Sequence, residues 1–143
     1  MRRAHQISAS IFERACADLA LTPAQYGVLC VVQQRPGIDQ SSLARALAFD
    51  KVTVLRVLKG LQERGLCERA ASSQDRRQRE VSLTPAGART LRRASEPVQQ
   101  AYEMLMSPFS PEQRTQFMAL LQHLNTQLDA HARASFVPMH ETS

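Results

Sequence analysis

Apolar residues recur along this chain at a spacing that predicts a mainly helical protein. Positions i, i+3, i+4 and i+7 are typical of a helix with one buried face. Runs of this kind predict six helices, at 2–20, 23–35, 40–48, 51–64, 85–106 and 111–132. Two short apolar stretches, Leu66-Cys67 and Val81-Ser82-Leu83, flank a polar segment and predict a pair of strands, and a further short strand is expected between the second and third helices.

Capping residues mark where these helices begin. Thr22-Pro23-Ala24-Gln25 and Ser110-Pro111-Glu112-Gln113 have the pattern of capping boxes with proline at the first helical position. Thr84-Pro85 repeats the cap without the glutamine. Asp39 and Asp50 are the predicted caps of the two helices between Gly37 and Gly65.

The middle of the chain predicts a winged helix-turn-helix. The third predicted helix is expected to bury Leu43, Ala46 and Leu47, and the fourth to bury Val54, Val57, Leu58 and Leu61. Two such helices followed by a strand, a basic hairpin and a second strand have the order of that fold. The predicted fold class is mainly α with a small β wing. We expect a DNA-binding winged helix-turn-helix domain at 22–84, with a helical dimerisation region at 1–21 and 85–143.

The outer helices carry more apolar surface than a winged unit of this size can cover. The last helix has an apolar stripe of Phe117, Leu120, Leu121, Leu124 and Leu128, and the first has one of Ile7, Ile11, Ala15 and Leu19. A two-fold dimer would bury both stripes, so we expect a homodimer through the first, fifth and sixth helices. The alternative is a monomer in which these helices fold back.

Charge is distributed unevenly around a net value of +5. Residues 45–93 carry twelve Lys and Arg against five Asp and Glu, whereas residues 94–143 carry two against five. A basic middle predicts a surface for phosphates, and an acidic end predicts a module with another role. Arginine supplies nearly all of the positive charge, which suits bidentate and minor-groove contacts.

The fourth helix is the predicted recognition helix. With its apolar positions in the core, its outward face carries Lys51, Val52, Leu55, Arg56 and Lys59. We expect Lys51 and Thr53 to meet phosphates or base edges, and Arg56 to fork onto guanine O6 and N7. Val52 and Leu55 are apolar where solvent would favour polar groups, and they can pack on thymine methyls. The alternative is a set of charges that merely solvates a surface helix.

The hairpin between the strands predicts a second DNA contact. Asp75 stands two residues before Arg77, where a salt bridge would hold the guanidinium ready for a minor groove. Arg76 and Arg79 would add phosphate contacts. The alternative is a solvated turn whose surface ion pairs contribute little.

Other classes of protein leave no pattern here. Cys16, Cys30 and Cys67 are scattered, which favours a reducing cytoplasm over a disulfide framework or a zinc site. No apolar run is long enough to span a membrane. The sequence has no Gly-rich loop, no nucleophile motif and no paired carboxylates. We therefore expect neither an enzyme nor a cofactor, a metal or a membrane partner, and we expect a cytoplasmic location.

These motifs resemble the MarR family of homodimeric bacterial regulators. The resemblance covers residues 20–92 closely and is carried by Leu43-Ala44-Arg45-Ala46-Leu47, Asp50-Lys51, Leu61-Gln62-Glu63-Arg64-Gly65-Leu66, Asp75-Arg76-Arg77 and Val81-Ser82-Leu83-Thr84-Pro85-Ala86-Gly87. It implies that Arg77 is the minor-groove arginine and Asp75 its orienting acid. The chain departs from the family at Val52 and Leu55, where small polar residues are usual.

The resemblance also implies a transcriptional regulator, in the first place a repressor, that leaves an inverted-repeat operator when a small ligand binds. Three segments are similar to a branch of the family that responds to aromatic catabolites and includes repressors of nicotinate degradation. They are Arg2-Arg3-Ala4-His5-Gln6, Leu21–Tyr26 and Gly37–Gln40. The expected site for a small aromatic carboxylate comprises Arg2, Arg3, His5, Ser8, Phe12, Tyr26 and Phe49. The cations would pair with the carboxylate and the rings would stack.

Two other functions stay open at this point. Some MarR relatives have a reactive cysteine on the first helix, where this chain has Cys16, so oxidation is an alternative trigger. A chromosome-organising protein without sequence preference would also need a basic winged surface. A strong preference for one inverted repeat would distinguish the regulator from it.

Overall fold

A computed structural model describes residues 1–132, which form six α-helices, three short strands and two 3-10 turns. The helices are α1 Arg2–Ala15, α2 Pro23–Gln34, α3 Gln40–Ala46, α4 Lys51–Glu63, α5 Pro85–Met106 and α6 Pro111–Leu128. The strands are β1 Ile38–Asp39, β2 Cys67–Ala71 and β3 Arg79–Leu83. The predicted fold class, mainly α with a small β wing, is confirmed.

Side-chain caps begin four of the helices as the sequence predicted. Asp39 Oδ1 accepts from the Ser42 N–H at 2.9 Å, and Asp50 Oδ1 accepts from the Thr53 N–H at 2.7 Å. Thr84 Oγ1 accepts from the Gly87 N–H at 3.0 Å. Ser110 and Gln113 form the reciprocal capping box of α6. These bonds satisfy backbone donors that have no partner within their own helix.

The first helix is shorter than predicted. A single helix at 2–20 is wrong, because α1 ends at Ala15 and a 3-10 turn, Ala17–Leu19, follows. Cys16 leaves helical geometry with ψ at 17°, and Ala20 then takes a left-handed conformation with φ at 48°. The turn leaves Leu19 and Leu21 buried, so burial of these side chains outweighs the helical spacing here.

Smaller departures occur in α3 and α6. Leu43 of α3 is buried as expected, but Ala46 and Leu47 are half-buried and Ala44 is buried in their place. The helix ends at Ala46 because Ala48 adopts a positive φ of 53° that leads into the cap of α4. The α-helical part of α6 ends at Leu128, and a 3-10 turn, Asp129–His131, continues it.

A three-stranded antiparallel sheet holds the wing to the helix-turn-helix. Its strand order is β1-β3-β2, with Ile38 and Arg69 opposite Val81 on either side. Most of the large fully buried side chains come from α2, α3, α4 and β3, and these include Leu29, Leu43, Leu58, Leu61 and Val81. All four positions that the sequence placed in the core of α4 are buried.

Two glycines make the junction between α4, β2 and α5. Gly65 has φ at 69°, a conformation that glycine adopts without strain, and it turns the chain from α4 into β2. A Cβ at Gly87 would collide with the Leu66 carbonyl oxygen. Thr84 closes the same junction, because its hydroxyl donates to the Gly65 carbonyl at 2.6 Å and its N–H donates to the Leu66 carbonyl at 3.1 Å.

The chain divides into two compact units. One contains Ala24–Arg92, the helix-turn-helix and wing, and the other contains Met1–Pro23 with Arg93–His131. Within the second unit the α5–α6 turn is held by an Arg114–Glu103 ion pair at 3.0 Å and by stacking of Phe109 on Phe117. The final part of the expected dimerisation region, 133–143, lies outside the described residues.

Candidate nucleic-acid interface

The outward face of α4 is the one that the sequence predicted. Its exposed residues are Lys51, Val52, Leu55, Arg56 and Lys59. Thr53 is half-buried, and its N–H is bound by the Asp50 cap, so its backbone serves the helix start. Lys59 lies 3.9 Å from Glu63 one turn later, and both side chains are well exposed. A pair of this kind contributes little to stability, which leaves the lysine available to a phosphate.

An open cavity of about 510 Å³ lies beside this face, between α3 and the start of α4. It is lined by Gln40, Ser41, Ala44, Arg45, Phe49, Asp50, Lys51, Val54 and Leu55. Phe49, which was predicted from the sequence to bind a ligand, therefore lies next to the exposed face of α4. Arg45 and Lys51 give this part of the winged unit a positive edge.

The wing tip is ordered by side-chain bonds to its backbone. Ser72 is buried, and its hydroxyl accepts from the N–H groups of Gln74 and Asp75 at 3.1 and 3.4 Å. The Ser72 N–H donates to the Gln78 carbonyl at 2.9 Å, which closes the hairpin. The exposed residues at the tip and the start of β3 are Asp75, Arg76, Arg77 and Arg79.

The expected salt bridge from Asp75 to the Arg77 guanidinium is not among the ion pairs of residues 1–132. Asp75 Oδ1 instead accepts from the Arg77 backbone N–H at 2.9 Å. A carboxylate two residues upstream reaches the backbone more readily than a long side chain, as in an Asx-turn. Asp75 thus shapes the turn that carries Arg77 and leaves the guanidinium extended into solvent.

A link between the wing and the helix-turn-helix was missed from the sequence. The Arg69 guanidinium on β2 donates to Gln62 Oε1 of α4 at 2.9 Å and to Gln40 Oε1 of α3 at 3.3 Å. It joins the base of the wing to both helices. The sequence signal was an arginine and two glutamines, which are ordinary surface residues until the fold brings them together.

The predicted ligand residues are divided between the two units. Arg2, Arg3 and His5 are exposed on α1, with Ser8 and Phe12 half-buried further along the helix. Tyr26 is half-buried on α2 of the winged unit, where its side chain hydrogen-bonds the Cys30 thiol. Their union in one site stays a prediction.

The cysteines have the character of structural thiols. Cys16 is 1% exposed, and burial raises the pKa of its thiol. Burial also raises the pKa of Cys30, an effect that the Tyr26 hydrogen bond partly offsets, and raises that of Cys67 to about 11. A reactive thiol needs a lowered pKa, so this environment argues against Cys16 as a redox trigger.

Comparison with known proteins agrees with this geometry. The MarR family model matches residues 21–78. The structure of the transcriptional repressor CouR bound to a 23-mer DNA duplex superposes with a TM-score of 0.81 at 31% identity, covering 86% of this chain and 87% of that one. The chain belongs to the MarR family.

Two further similarities concern regulation. A putative transcriptional regulatory protein for the hcr operon of Thauera aromatica is 34% identical over 107 residues, 75% of this chain and 64% of that protein's length. BpsR of Bordetella bronchiseptica, solved to explain regulation of its DNA binding by 6-hydroxynicotinic acid, has a TM-score of 0.82 at 29% identity and covers 87% of this chain and 89% of that one. The present chain is thus a transcriptional regulator of the MarR family.

The outer helices of this MarR family chain present apolar side chains to solvent. No residue of α1 or α6 is buried. Large apolar residues that are exposed on α6 are Phe117, Met118, Leu120, Leu121, Leu124 and Leu128. Ile7 of α1 and Tyr102 and Met104 of α5 are exposed as well. On α6 these side chains follow helical spacing, and a large exposed apolar surface is typical of an interaction site.

Within the described residues 1–132, no helix combines the length and apolarity needed to cross a membrane. The same part of the chain holds no group of three or more His, Cys, Asp or Glu side chains placed to bind a metal ion.

Proposed function

We propose that this protein is a homodimeric repressor that binds an inverted-repeat operator and is released by a small aromatic carboxylate. The observation that carries the proposal is the exposed basic face of α4 beside an ordered arginine wing, both within Ala24–Arg92. A helix of this kind enters the major groove, and arginines at the tip of a hairpin reach the adjacent minor groove.

The operator follows from the dimer. Two-fold symmetry presents two copies of α4, and successive major grooves lie about 34–36 Å apart along one side of B-DNA. An inverted repeat with half-sites at that spacing matches such a dimer. The apolar surfaces of α1, α5 and α6 support this arrangement, because a second copy would cover them.

The effector class rests on side-chain chemistry and on the relatives. Arg2, Arg3 and His5 are exposed cations or hydrogen-bonding groups on the same helix as Phe12, a set that suits a carboxylate attached to a ring. BpsR has DNA binding that responds to 6-hydroxynicotinic acid. A ligand can lower the affinity for DNA if it binds more tightly to a dimer whose two α4 helices are not about 34–36 Å apart. The affinity for DNA can fall by no more than the ratio of the ligand's affinities for the two dimer arrangements.

Selection of bound duplexes from a random pool, followed by thermal-shift screening of aromatic acids, tests the proposal. We expect one enriched inverted repeat and a specificity ratio of about 10³ or more over scrambled DNA. A ratio near one would favour a chromosome-organising protein instead. Release by peroxide but by no aromatic acid would favour the redox alternative at Cys16.

Calorimetry with His5→Ala tests the effector site. The His5→Ala variant should bind the aromatic acid found in the thermal-shift screen more weakly than the wild type does. The loss should be about tenfold if the substitution removes one hydrogen bond to a charged or polar substituent of the ring. The wild type should bind the ligand more weakly when it is saturated with operator. The factor should equal the factor by which the ligand lowers the affinity for operator DNA. Unchanged affinity in His5→Ala would remove His5 from the site.

A further inference from the structure

Two apolar side chains interrupt the cationic face of α4. Val52, Leu55, Arg56 and Lys59 follow the spacing i, i+3, i+4 and i+7, so they form one stripe on the helix. Val52 is 76% exposed and Leu55 is 43% exposed. The opposite stripe, 54, 57, 58 and 61, is buried. The apolar pair is therefore surplus to the core of this unit.

The two apolar residues have different surroundings. Leu55 lines the open cavity together with Phe49 and Ala44, and its exposed fraction is smaller than that of Val52. Val52 is not among the residues that line this cavity, and it belongs to the first turn of α4. The first turn of a recognition helix enters the major groove most deeply.

We propose that Val52 recognises the 5-methyl group of one thymine in each operator half-site, and that Leu55 covers the flank of that contact. The inference rests on the proposed function of operator binding. Lys51 and Lys59 lie on the same exposed face and would hold phosphates near Val52, and the thymine methyl is the apolar group that the major groove offers.

Uracil in place of thymine provides a test at the level of one methyl group. Duplexes are first selected from an unmethylated random pool, and each thymine of the selected site is then replaced by deoxyuridine, which keeps the base pair and its O4 acceptor. Affinity is measured by fluorescence anisotropy at fixed salt for the wild type, Val52→Ala and Arg56→Ala. Both substitutions lie on the exposed face, and melting curves check that the fold is retained.

At one thymine position of each half-site, the wild type should bind the duplex with thymine about fourfold more tightly than the duplex with uracil. This ratio corresponds to about 0.8 kcal/mol for burying one methyl group. The ratio should fall to about one in Val52→Ala. Arg56→Ala should weaken binding to the thymine and the uracil forms of the selected operator by the same factor and so keep the ratio, because it leaves the valine in place.

Three outcomes overturn the inference. A selected inverted repeat without any uracil-sensitive thymine refutes the methyl contact and leaves the proposed function standing. Sensitivity that persists in Val52→Ala assigns the methyl to another side chain. Failure to enrich any site refutes the inference together with the proposed function.

A further arm identifies the source of the methyl. 5-Methylcytosine carries the same group, so cytosine and 5-methylcytosine are compared at each cytosine of the selected site. If no thymine of the selected site is uracil-sensitive but a 5-methylcytosine strengthens binding relative to cytosine, the first of these outcomes holds and the methyl group belongs to a methylated cytosine.

Discussion

At the scale of single residues, we expect the proposed interface to divide into contacts that position the protein and contacts that discriminate between bases. Arg77 stands on a turn built by Asp75 and Ser72, with its side chain exposed. Arg56 stands on α4, where the buried stripe fixes its direction. Phosphate and minor-groove charge contacts carry little sequence information, whereas a bidentate contact to a base edge does. Removal of Arg77 and removal of Arg56 should therefore have different effects on the affinity for specific and scrambled DNA.

Arg77→Ala should weaken binding to specific and scrambled duplexes alike. Loss of one phosphate-like contact lowers the slope of log affinity against log salt by about one. Anisotropy titrations across a salt series measure this slope. Arg35→Ala, which removes an exposed arginine outside α4 and the wing, is the matched control and should leave the slope unchanged. If the slope fell equally in both variants, Arg77 would contribute only through the net charge of the protein and not through a contact with DNA.

Arg56→Ala should lose affinity mainly for the selected operator, by about 1–3 kcal/mol, and should relax the preference at particular base pairs. The reason is that a guanidinium forked onto guanine O6 and N7 discriminates against the other pairs. Competition with single-base operator variants gives the measurement. If operator and scrambled DNA lose affinity equally, α4 is not the recognition helix.

At the scale of elements, local sequence patterns were sufficient to predict where a helix begins, because a single capping residue determines that position. Asp50, Ser110 and Thr84 cap their helices because a short side chain reaches an adjacent backbone N–H. The turn after α1 depended on burial of Leu19, which helical spacing alone does not encode. The bond from Arg69 to Gln40 spans 29 positions in the chain. Contacts of that range arise from the fold, so no local pattern could have indicated them.

The junction of α4, β2 and α5 provides an element-scale prediction. Gly87→Ala should lower the free energy of unfolding by about 1–3 kcal/mol, because the new Cβ meets the Leu66 backbone carbonyl, which cannot rotate away. Urea unfolding measures the change. Gly60→Ala is the control: its Cβ would lie 3.6 Å from the Gln25 side chain, and it should be neutral or stabilising within α4. Equal stability of the two variants would contradict the close approach at Gly87.

At the scale of the whole molecule, the basic winged unit and the apolar outer helices serve one proposed purpose. In the proposal, the first would contact one half-site, and the second would form the two-fold dimer that matches two half-sites. Both proposed roles were predicted from the charge distribution and the apolar stripes of the sequence. The sequence predicts only a chemical class for the effector, because the predicted ligand residues are distant in the chain and no local pattern joins them.

Leu121→Asp combined with Leu124→Asp should separate the dimer. Each leucine is 40% exposed in one chain, and a partner that buries both could not accept two unpaired carboxylates without a large desolvation cost. Sedimentation at micromolar concentration should give a dimer for the wild type and a monomer or unfolded chain for the variant. Gln122→Asp with Asn125→Asp adds the same charge at neighbouring exposed polar positions of α6, and we expect it to remain dimeric. A monomeric wild type would contradict the two-fold arrangement, and the inverted-repeat operator would then lose its structural basis.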